Sequence, residues 1–272
     1  MTGQSIDKAV ILARGLGKRM RQQDQAAALS GDQAAVADQG LKAMIPIGRP
    51  FLDYVLSALA DAGCRQVCLV IGPEHQQVRE YYGRLNSRRI AVSFAVQHEP
   101  KGTADAVLAA EAFAARDAVI VINSDNYYPV EALSRLRTDC PGSGMVAFGR
   151  QGLLAGNIAA ERIEKFAIVQ VDGSGRLVKI VEKPTPQQIA AIGQPIRVSM
   201  NCWRFGPAIY PACRAIKPSP RGELELPDAV QQAMAADEIF TVVQSDQPVL
   251  DMSSRGDIAS IKERLARVKV EL

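Results

Sequence analysis

The chain reads as an α/β protein: a mostly parallel sheet sandwiched by helices, with an antiparallel β subdomain inserted over the sheet's carboxyl edge. Three features predict it. Short apolar runs alternate with helical patterns through the first 150 residues, as β–α units feeding a parallel sheet do. The strand-like runs are apolar throughout, as in strands buried on both faces. The second half instead opens with two β runs around Asp172-Gly173-Ser174-Gly175, a hairpin signal.

Lys8 to Ala13 is a buried central strand running into a Gly-containing turn. The Ala/Gln-rich stretch 23–37 predicts a short helix or a mobile lid, and 43–47 is apolar again. Pro50 to Ala62 has helical spacing at Leu52, Val55, Leu56 and Leu59, with Pro50 near its start and Gly63 past its end. Gln66 to Ile71 is a strand stopped by Gly72-Pro73, Glu74 to Tyr82 a helix, and Ile90 to Val96 a strand. A helix (Thr103 to Ala114), a strand (Ala118 to Ile122), a helix (Val130 to Leu136) and a strand (Gly144 to Phe148) follow. Phe166 to Val171 and Arg176 to Val181 form the hairpin. Val198 to Phe205 is a strand, Leu224 to Ala235 a helix and Phe240 to Val243 a strand. Ile258, Ile261, Leu265 and Val268 lay a helical stripe in the C-terminal segment. No internal repeat occurs, and in particular no hexapeptide β-helix repeat.

With 272 residues, 47% apolar and 22% charged, the composition is that of one ordinary globular domain spanning 1–272. A core of this size needs no metal or disulfide staple. Its 21 glycines and 15 prolines exclude collagen and low-complexity chains. A net charge of +3 is too weak for a nucleic-acid-wrapping surface; it suits a small anionic substrate without requiring one. Cysteines at 64, 68, 140, 202 and 213 are odd in number and lack CxxC spacing, and histidines stand only at 75 and 98. Structural zinc and a Ser-His-Asp arrangement are disfavoured, and a reducing, cytoplasmic compartment is expected. No apolar run precedes the first strand, so no signal peptide is expected, and no stretch of about 18 apolar residues suggests a membrane span.

The first strand runs into Ala13-Arg14-Gly15-Leu16-Gly17-Lys18-Arg19-Met20. Two glycines let backbone approach a ligand and aim N–H groups at it, and two cations follow at the same place. The spacing is neither the GxxxxGK[ST] loop nor GxGxxG, which disfavours a dinucleotide-dependent dehydrogenase. A tight βα turn with solvated basic residues has the same pattern, so the turn alone leaves both readings open.

Leu12-Ala13-Arg14-Gly15-Leu16-Gly17-Lys18-Arg19-Met20, followed by Leu41-Lys42-Ala43-Met44-Ile45-Pro46-Ile47, resembles the signature of the sugar-1-phosphate nucleotidyltransferases. Further segments match in the family's order. They are Gln97-His98-Glu99-Pro100-Lys101-Gly102-Thr103-Ala104-Asp105, Ile122-Asn123-Ser124-Asp125-Asn126, Val181-Glu182-Lys183-Pro184, Arg221-Gly222-Glu223-Leu224-Glu225-Leu226 and Val249-Leu250-Asp251-Met252. The resemblance runs from about 8 to 257. It implies a Rossmann-like short form: a nucleotide-binding half (about 1–150), a sugar-binding half (about 151–252) and a C-terminal helix (about 253–272). Missing β-helix repeats set it apart from the two-domain members.

The implied reaction joins an NTP to a sugar-1-phosphate, giving an NDP-sugar and pyrophosphate. The nucleophile is already an anion, so catalysis is mostly positioning and charge neutralisation. Through the resemblance, Arg19 is expected at the β/γ-phosphates, Lys42 at the α-phosphate and Lys183 at the sugar phosphate. Leu12, Ala13, Arg14, Gly15, Gly17 and Lys18 are expected around the nucleotide, with Gln97, Gly102 and Thr103 at its base. Asn126, Glu182 and Asn201 would meet the sugar. Asp125 and Asp251, each beyond an apolar strand, would hold Mg²⁺. A helix cap is the competing reading for each of these two carboxylates. Gln97 offers an amide donor and acceptor to a pyrimidine, which points to UTP or dTTP.

Four departures put the substrate in doubt. Arg14 stands where the family usually has Gly or Ala, and Lys18 replaces Thr or Ser. Residues 20–41 are longer than the usual link, and Asn201-Cys202-Trp203 replaces a Gly-x-Tyr pattern. Competing readings are a guanylyl- or cytidylyltransferase for another phosphorylated acceptor, or a non-catalytic nucleotide or sugar-phosphate sensor. The family is commonly dimeric or tetrameric, so a homo-oligomer is compatible with it.

Overall fold

The computed structural model describes residues 6–192 and 195–272. Its sheet grows outward from β1 (Lys8–Leu12), flanked by β2 (Gln66–Ile71) with β3 (Ala91–Val96) beyond it, and by β4 (Val119–Asn123) on the other side. All four are parallel. Ile11 pairs with Leu69 and Ile122, and Leu69 with Phe94. Successive residues feed two cores: Ile11, Leu69 and Ile122 face one, Val10, Val70 and Val121 the other. β1, β2 and β4 are buried on both faces, which is why they read as unbroken apolar runs, while β3 at the edge is partly exposed.

Beyond β4 the chain forms β5 (Asn126–Tyr127), β6 (Ser143–Gly149), β7 (Ile168–Val171), β8 (Leu177–Val181), β9 (Arg197–Phe205), β10 (Phe240–Ser245) and β11 (Leu250–Asp251). The sheet order is β10-β6-β9-β4-β1-β2-β3, with β9 antiparallel to both neighbours. The β7–β8 hairpin forms as its Gly-containing turn requires, with Gly175 left-handed at φ 80°. It hydrogen-bonds to β9 through the Ile168–Val198 pair, so the antiparallel part is continuous with the main sheet. Residues Asn126–Tyr127 and Leu250–Asp251 form a separate two-stranded antiparallel ribbon.

Most predicted helices are present. Phe51–Asp61 is buried from Phe51 to Ala60, a helix enclosed on all sides. The expected helix over 103–114 breaks at Ala110 (φ −94°, ψ 5°) into Thr103–Ala109 and Glu111–Ala114. Short helices at Arg150–Ala155, Ala160–Ile163, Pro186–Ile192 and Ile209–Ala215 carry too few turns for a readable period.

The long link after Arg19 is a docked helix, Gly31–Gln39. Ser30 and Gln33 cap it reciprocally, and left-handed Gly40 ends it. Its C-terminal end lies against the phosphate-type turn. A Cβ on Gly17 would stand 2.3 Å from the Gly40 carbonyl oxygen, so both glycines are needed where the two segments cross. Arg255 secures the same helix from the far end of the chain, through Met20 O at 3.0 Å and the Asp38 carboxylate. Of the two expectations for 23–37, the helix is the one that forms.

Parallel strands β4, β1, β2 and β3 end together, which gathers Leu12, Ile71, Val96 and Asn123 at one rim. Ligands of open α/β sheets bind at this carboxyl edge. No helix among the described residues is long and apolar enough to cross a membrane. All five cysteines are free and buried, and burial pushes the Cys64 thiol up to about 12 and Cys68 to about 11. Both are core residues, as their strand positions suggest.

Candidate active site

A cleft of about 390 Å³ opens at that rim. Its walls include Leu12, Ala13, Arg14, Gly15, Gly17, Lys18, Arg19, Lys42, Gln97, Gly102, Thr103 and Asp125. Every nucleotide-side residue expected from sequence therefore lines one cavity. Gly17 is left-handed (φ 58°) and lets the chain turn from β1 into the short helix Lys18–Arg21. Lys18 and Arg19 are exposed at the lip.

At one end of the cleft Lys42 Nζ donates to Asp125 Oδ2 at 2.8 Å. Lys42 opens a single 3₁₀ turn, Lys42–Met44, whose first N–H bonds the Gly40 carbonyl at 3.0 Å. Asp125 sits between β4 and the β5–β11 ribbon. Its backbone oxygen accepts from Met252 N at 2.8 Å, and Asp251 pairs with Asn126. Asp125 and Asp251 are thus neighbours, although Asp251 lies buried behind the cleft wall. Burial, then the Asp125 charge, pushes the Asp251 carboxyl up to about 6 against the pull of Arg162 and Lys42. Arg162 ion-pairs with Asp251 and reaches Asp257 at 2.8 Å. Asn157 bonds the Asp251 backbone on both sides, and the Ser253 hydroxyl donates to its carboxylate.

Asp125 and Asp251 are the two carboxylates expected to hold a metal. Among the described residues no group of three or more His, Cys, Asp or Glu side chains is placed to hold an ion. The donor set nonetheless suits a hard divalent cation that takes its remaining oxygens from phosphates and water. Asp251 Oδ1 has only the Ser253 hydroxyl at 3.3 Å, which leaves it coordinating capacity.

At the other end, beyond β3, Gln97 is held rigidly. Its side-chain N–H groups donate to Gly102 O at 3.0 Å and Asp105 Oδ2 at 2.8 Å. Sequence suggested that Gln97 would present both a donor and an acceptor to a base. Both protons are already used, so only Oε1 remains to face a ligand. Gly102 (φ 122°) allows the close crossing of the 221–226 loop, where a Cβ would meet Leu224 O at 2.4 Å. The Thr103 hydroxyl accepts from Leu226 N at 2.9 Å, which fixes that loop and leaves the hydroxyl proton free.

Arg14 lies between these ends. Its side chain is 7% exposed and packs over Gly72, pairing with Glu74 at 3.3 Å. Nε and Nη1 are buried without a hydrogen-bond partner among the described residues.

The expected sugar-side residues lie outside this cavity's walls. Glu182 and Lys183 are exposed at the end of β8. Surrounding protein, then Glu225, pushes the Glu182 carboxyl pKa up, with Arg221 and Lys183 opposing. Lys183 and Asn201 both hold left-handed backbone, φ 46° and 52°. Non-glycine residues rarely do so, and such strain concentrates at ligand clamps. Asn126 is buried, and its side-chain nitrogen has no hydrogen-bond partner among the described residues. Tyr128 packs in the core, its hydroxyl donating to Met200 O at 2.6 Å.

Sequence reading missed Arg162, Asn157 and Ser253 around Asp251, and Glu74 beside Arg14. Arg162 and Asn157 lie in short unpatterned helices and turns, and their roles depend on pairings across about 90 residues of chain.

The nucleotidyl transferase family profile matches residues 8–248. The chain is 24% identical over 261 residues to a UTP–glucose-1-phosphate uridylyltransferase, AglF, of Haloferax volcanii, covering 95% of this chain and 96% of that protein. It is 30% identical over 226 residues to a glucose-1-phosphate thymidylyltransferase of Streptomyces antibioticus, covering 82% of this chain and 56% of the relative. The chain spans little more than half the length of several curated relatives it matches. A UDP-glucose pyrophosphorylase solved with UDP-glucose superposes with a TM-score of 0.75 at 18% identity, covering 97% of this chain and 100% of that one; the likeness is one of fold.

Proposed function

The chain belongs to the nucleotidyl transferase family, and on that premise we propose that it condenses an NTP carrying a keto base, UTP or dTTP, with a sugar-1-phosphate, releasing pyrophosphate. The observation that carries this reading is the cleft itself. It has a glycine turn with Lys18 and Arg19 at its lip, Lys42 on Asp125 at one end and the Gln97 acceptor at the other.

The chemistry brings two polyanions together. Unit charges 4 Å apart repel by about 4 kcal/mol at an effective dielectric of 20. Lys42 beside Asp125 supplies a fixed cation for the α-phosphate, which a proton-neutral group could not replace. Arg19 would take the leaving pyrophosphate, since a guanidinium binds phosphate in two places and keeps its charge. Lys183, held in a strained backbone at the end of β8, would grip the sugar phosphate, with Glu182 accepting from sugar hydroxyls and Asn126 and Asn201 beside them. Asp125 and Asp251 would hold Mg²⁺, which when bound neutralises phosphate charge and aligns the two reactants. The nucleophile is an anion already, so no side chain needs to remove a proton.

The Gln97 oxygen would accept an N–H, and a ring N–H beside a carbonyl suits it. Uracil and thymine present that edge at N3, and guanine presents it at N1, so a guanylyltransferase is the second reading.

Pyrophosphate release over a matrix of NTPs and sugar-1-phosphates with Mg²⁺ tests the proposal. Turnover is expected with one keto nucleotide, and its loss in Asp125→Ala and Lys183→Ala. Turnover surviving both substitutions would remove these residues from the reaction. NTP binding without any turnover would favour a sensor.

A further inference from the structure

The Arg14 side chain has two buried donors and no acceptor for either. Its Nη2 is taken by Glu74 at 3.3 Å, while Nε and Nη1 have no partner among the described residues. Leaving such groups unsatisfied costs more than most single contacts gain, so each needs a partner, and at the wall of a cleft a ligand can supply one. The side chain is 7% exposed and still lines the cleft.

Its position within the cleft selects the part of the ligand it meets. Strands β4, β1, β2 and β3 lie side by side, with Asp125 beyond the end of β4 and Gln97 beyond the end of β3. Three strand spacings separate those ends, roughly 14 Å. Arg14 leaves the end of β1 and lies across the tip of β2, over Gly72 and against Glu74. It therefore points away from the Lys42–Asp125 corner and toward the Gln97 end. A Cβ at Gly72 would stand 2.5 Å from Arg14 Nε, so the missing side chain there makes room for the guanidinium.

Gln97 has spent both amide protons on Gly102 and Asp105, and can only accept. A keto base docked on it by its ring N–H carries a keto oxygen alongside, and that oxygen needs a donor which Gln97 cannot give. We infer that Arg14 donates one of its two unpartnered N–H groups, Nε or Nη1, to the nucleobase keto oxygen beside the N–H accepted by Gln97, and so sets the preference for keto bases. This rests on the nucleotide reading of the cleft. Glu74 and Gly72 are positioning residues for the guanidinium.

Binding by titration calorimetry, without turnover, tests it. The probes are the tightest-binding keto nucleotide among UTP, dTTP and GTP, then ATP, which has no keto oxygen, and inorganic tripolyphosphate. Arg14→Ala is expected to weaken the keto nucleotide at least tenfold and to leave ATP and tripolyphosphate within about twofold, as the loss of one charge-assisted base contact would. Arg14→Lys, which keeps the charge but not the planar guanidinium and its donor positions, should fall with Arg14→Ala. Gly72→Ala, which displaces the guanidinium while retaining it, should reproduce the loss. If Arg14→Ala weakens tripolyphosphate and ATP as much as the keto nucleotide, the contact is to phosphate and the inference fails. Retention of full keto preference in Arg14→Ala also overturns it. These measurements stand apart from the proposed reaction: tight, Arg14-dependent keto binding with no pyrophosphate released would keep this inference and sink the transferase.

Discussion

Lys42 and Asp125, 83 residues apart in sequence, meet at 2.8 Å where the 3₁₀ turn Lys42–Met44 and the end of β4 converge. The pair ties the expected α-phosphate cation to an expected metal carboxylate. Each charge is part-buried, and Asp125 also repels the neighbouring Asp251. Asp125→Asn should therefore separate function from stability. Activity is expected to fall 100-fold or more, in the range of a lost electrostatic contact. Thermal stability without divalent ions should hold or rise, because the repulsion of Asp251 is relieved. Lys42→Met should lose comparable activity and also lower stability. Steady-state kinetics and thermal unfolding of both variants check this.

His75 gives the fold a pH dependence on the acid side. It is buried at the tip of β2, and its Nδ1 accepts the Gly72 N–H at 3.3 Å. Burial, then Arg14 and Arg21, lowers its pKa from the ordinary 6.5, with Glu74 opposing. A histidine depressed in the folded state contributes stability above its unfolded pKa and loses it as pH falls through the folded value. Stability is expected to decline as pH drops below about 6.5. His75→Gln should flatten that part of the curve. An unchanged acid limb in the variant would show that His75 is not the group responsible.

Asp53 is a structural anchor. It is 0% exposed on the enclosed helix Phe51–Asp61 and accepts from Tyr82 at 2.9 Å, Tyr81 at 3.0 Å and Arg49 at 2.8 Å. Asp53→Ala leaves a buried tyrosine hydroxyl and a guanidinium without their acceptor. The expected cost is about 3 kcal/mol, a thermal midpoint lower by roughly 5–10 °C. Nucleotide affinity of the folded fraction should not change, since Asp53 lies outside the cleft walls.

What could be read from sequence follows from the range of each interaction. β1, β2 and β4 were legible because burial on both faces leaves an unbroken apolar run, and Gly17 because its left-handed backbone and close crossing with Gly40 admit little else. The lining residues followed from local motifs. Gln97 lines the cleft, as its motif suggested, but its spent protons were invisible, since Asp105 reaches it only once Thr103–Ala109 folds. The partners of Asp251 were hidden for the same reason. Nothing near Arg162 in sequence marks it as the cation that crosses 89 positions to meet a carboxylate.

Arg162 joins Asp251 and Asp257 and is less than one-quarter exposed. Removing it leaves two largely buried carboxylates near Asp125 with one cation fewer. Breaking a buried pair costs about 3 kcal/mol or more. A divalent ion held by Asp125 and Asp251 would restore part of that charge balance. Arg162→Met is therefore expected to unfold several degrees earlier than the parent in EDTA, and the gap should narrow when Mg²⁺ is added in excess. Mg²⁺ should also be needed at a different concentration for half-maximal turnover, with little change in the KM for NTP. An equal loss of stability with and without Mg²⁺ would mean that Arg162 only braces the ribbon, and that the two aspartates do not take up the ion.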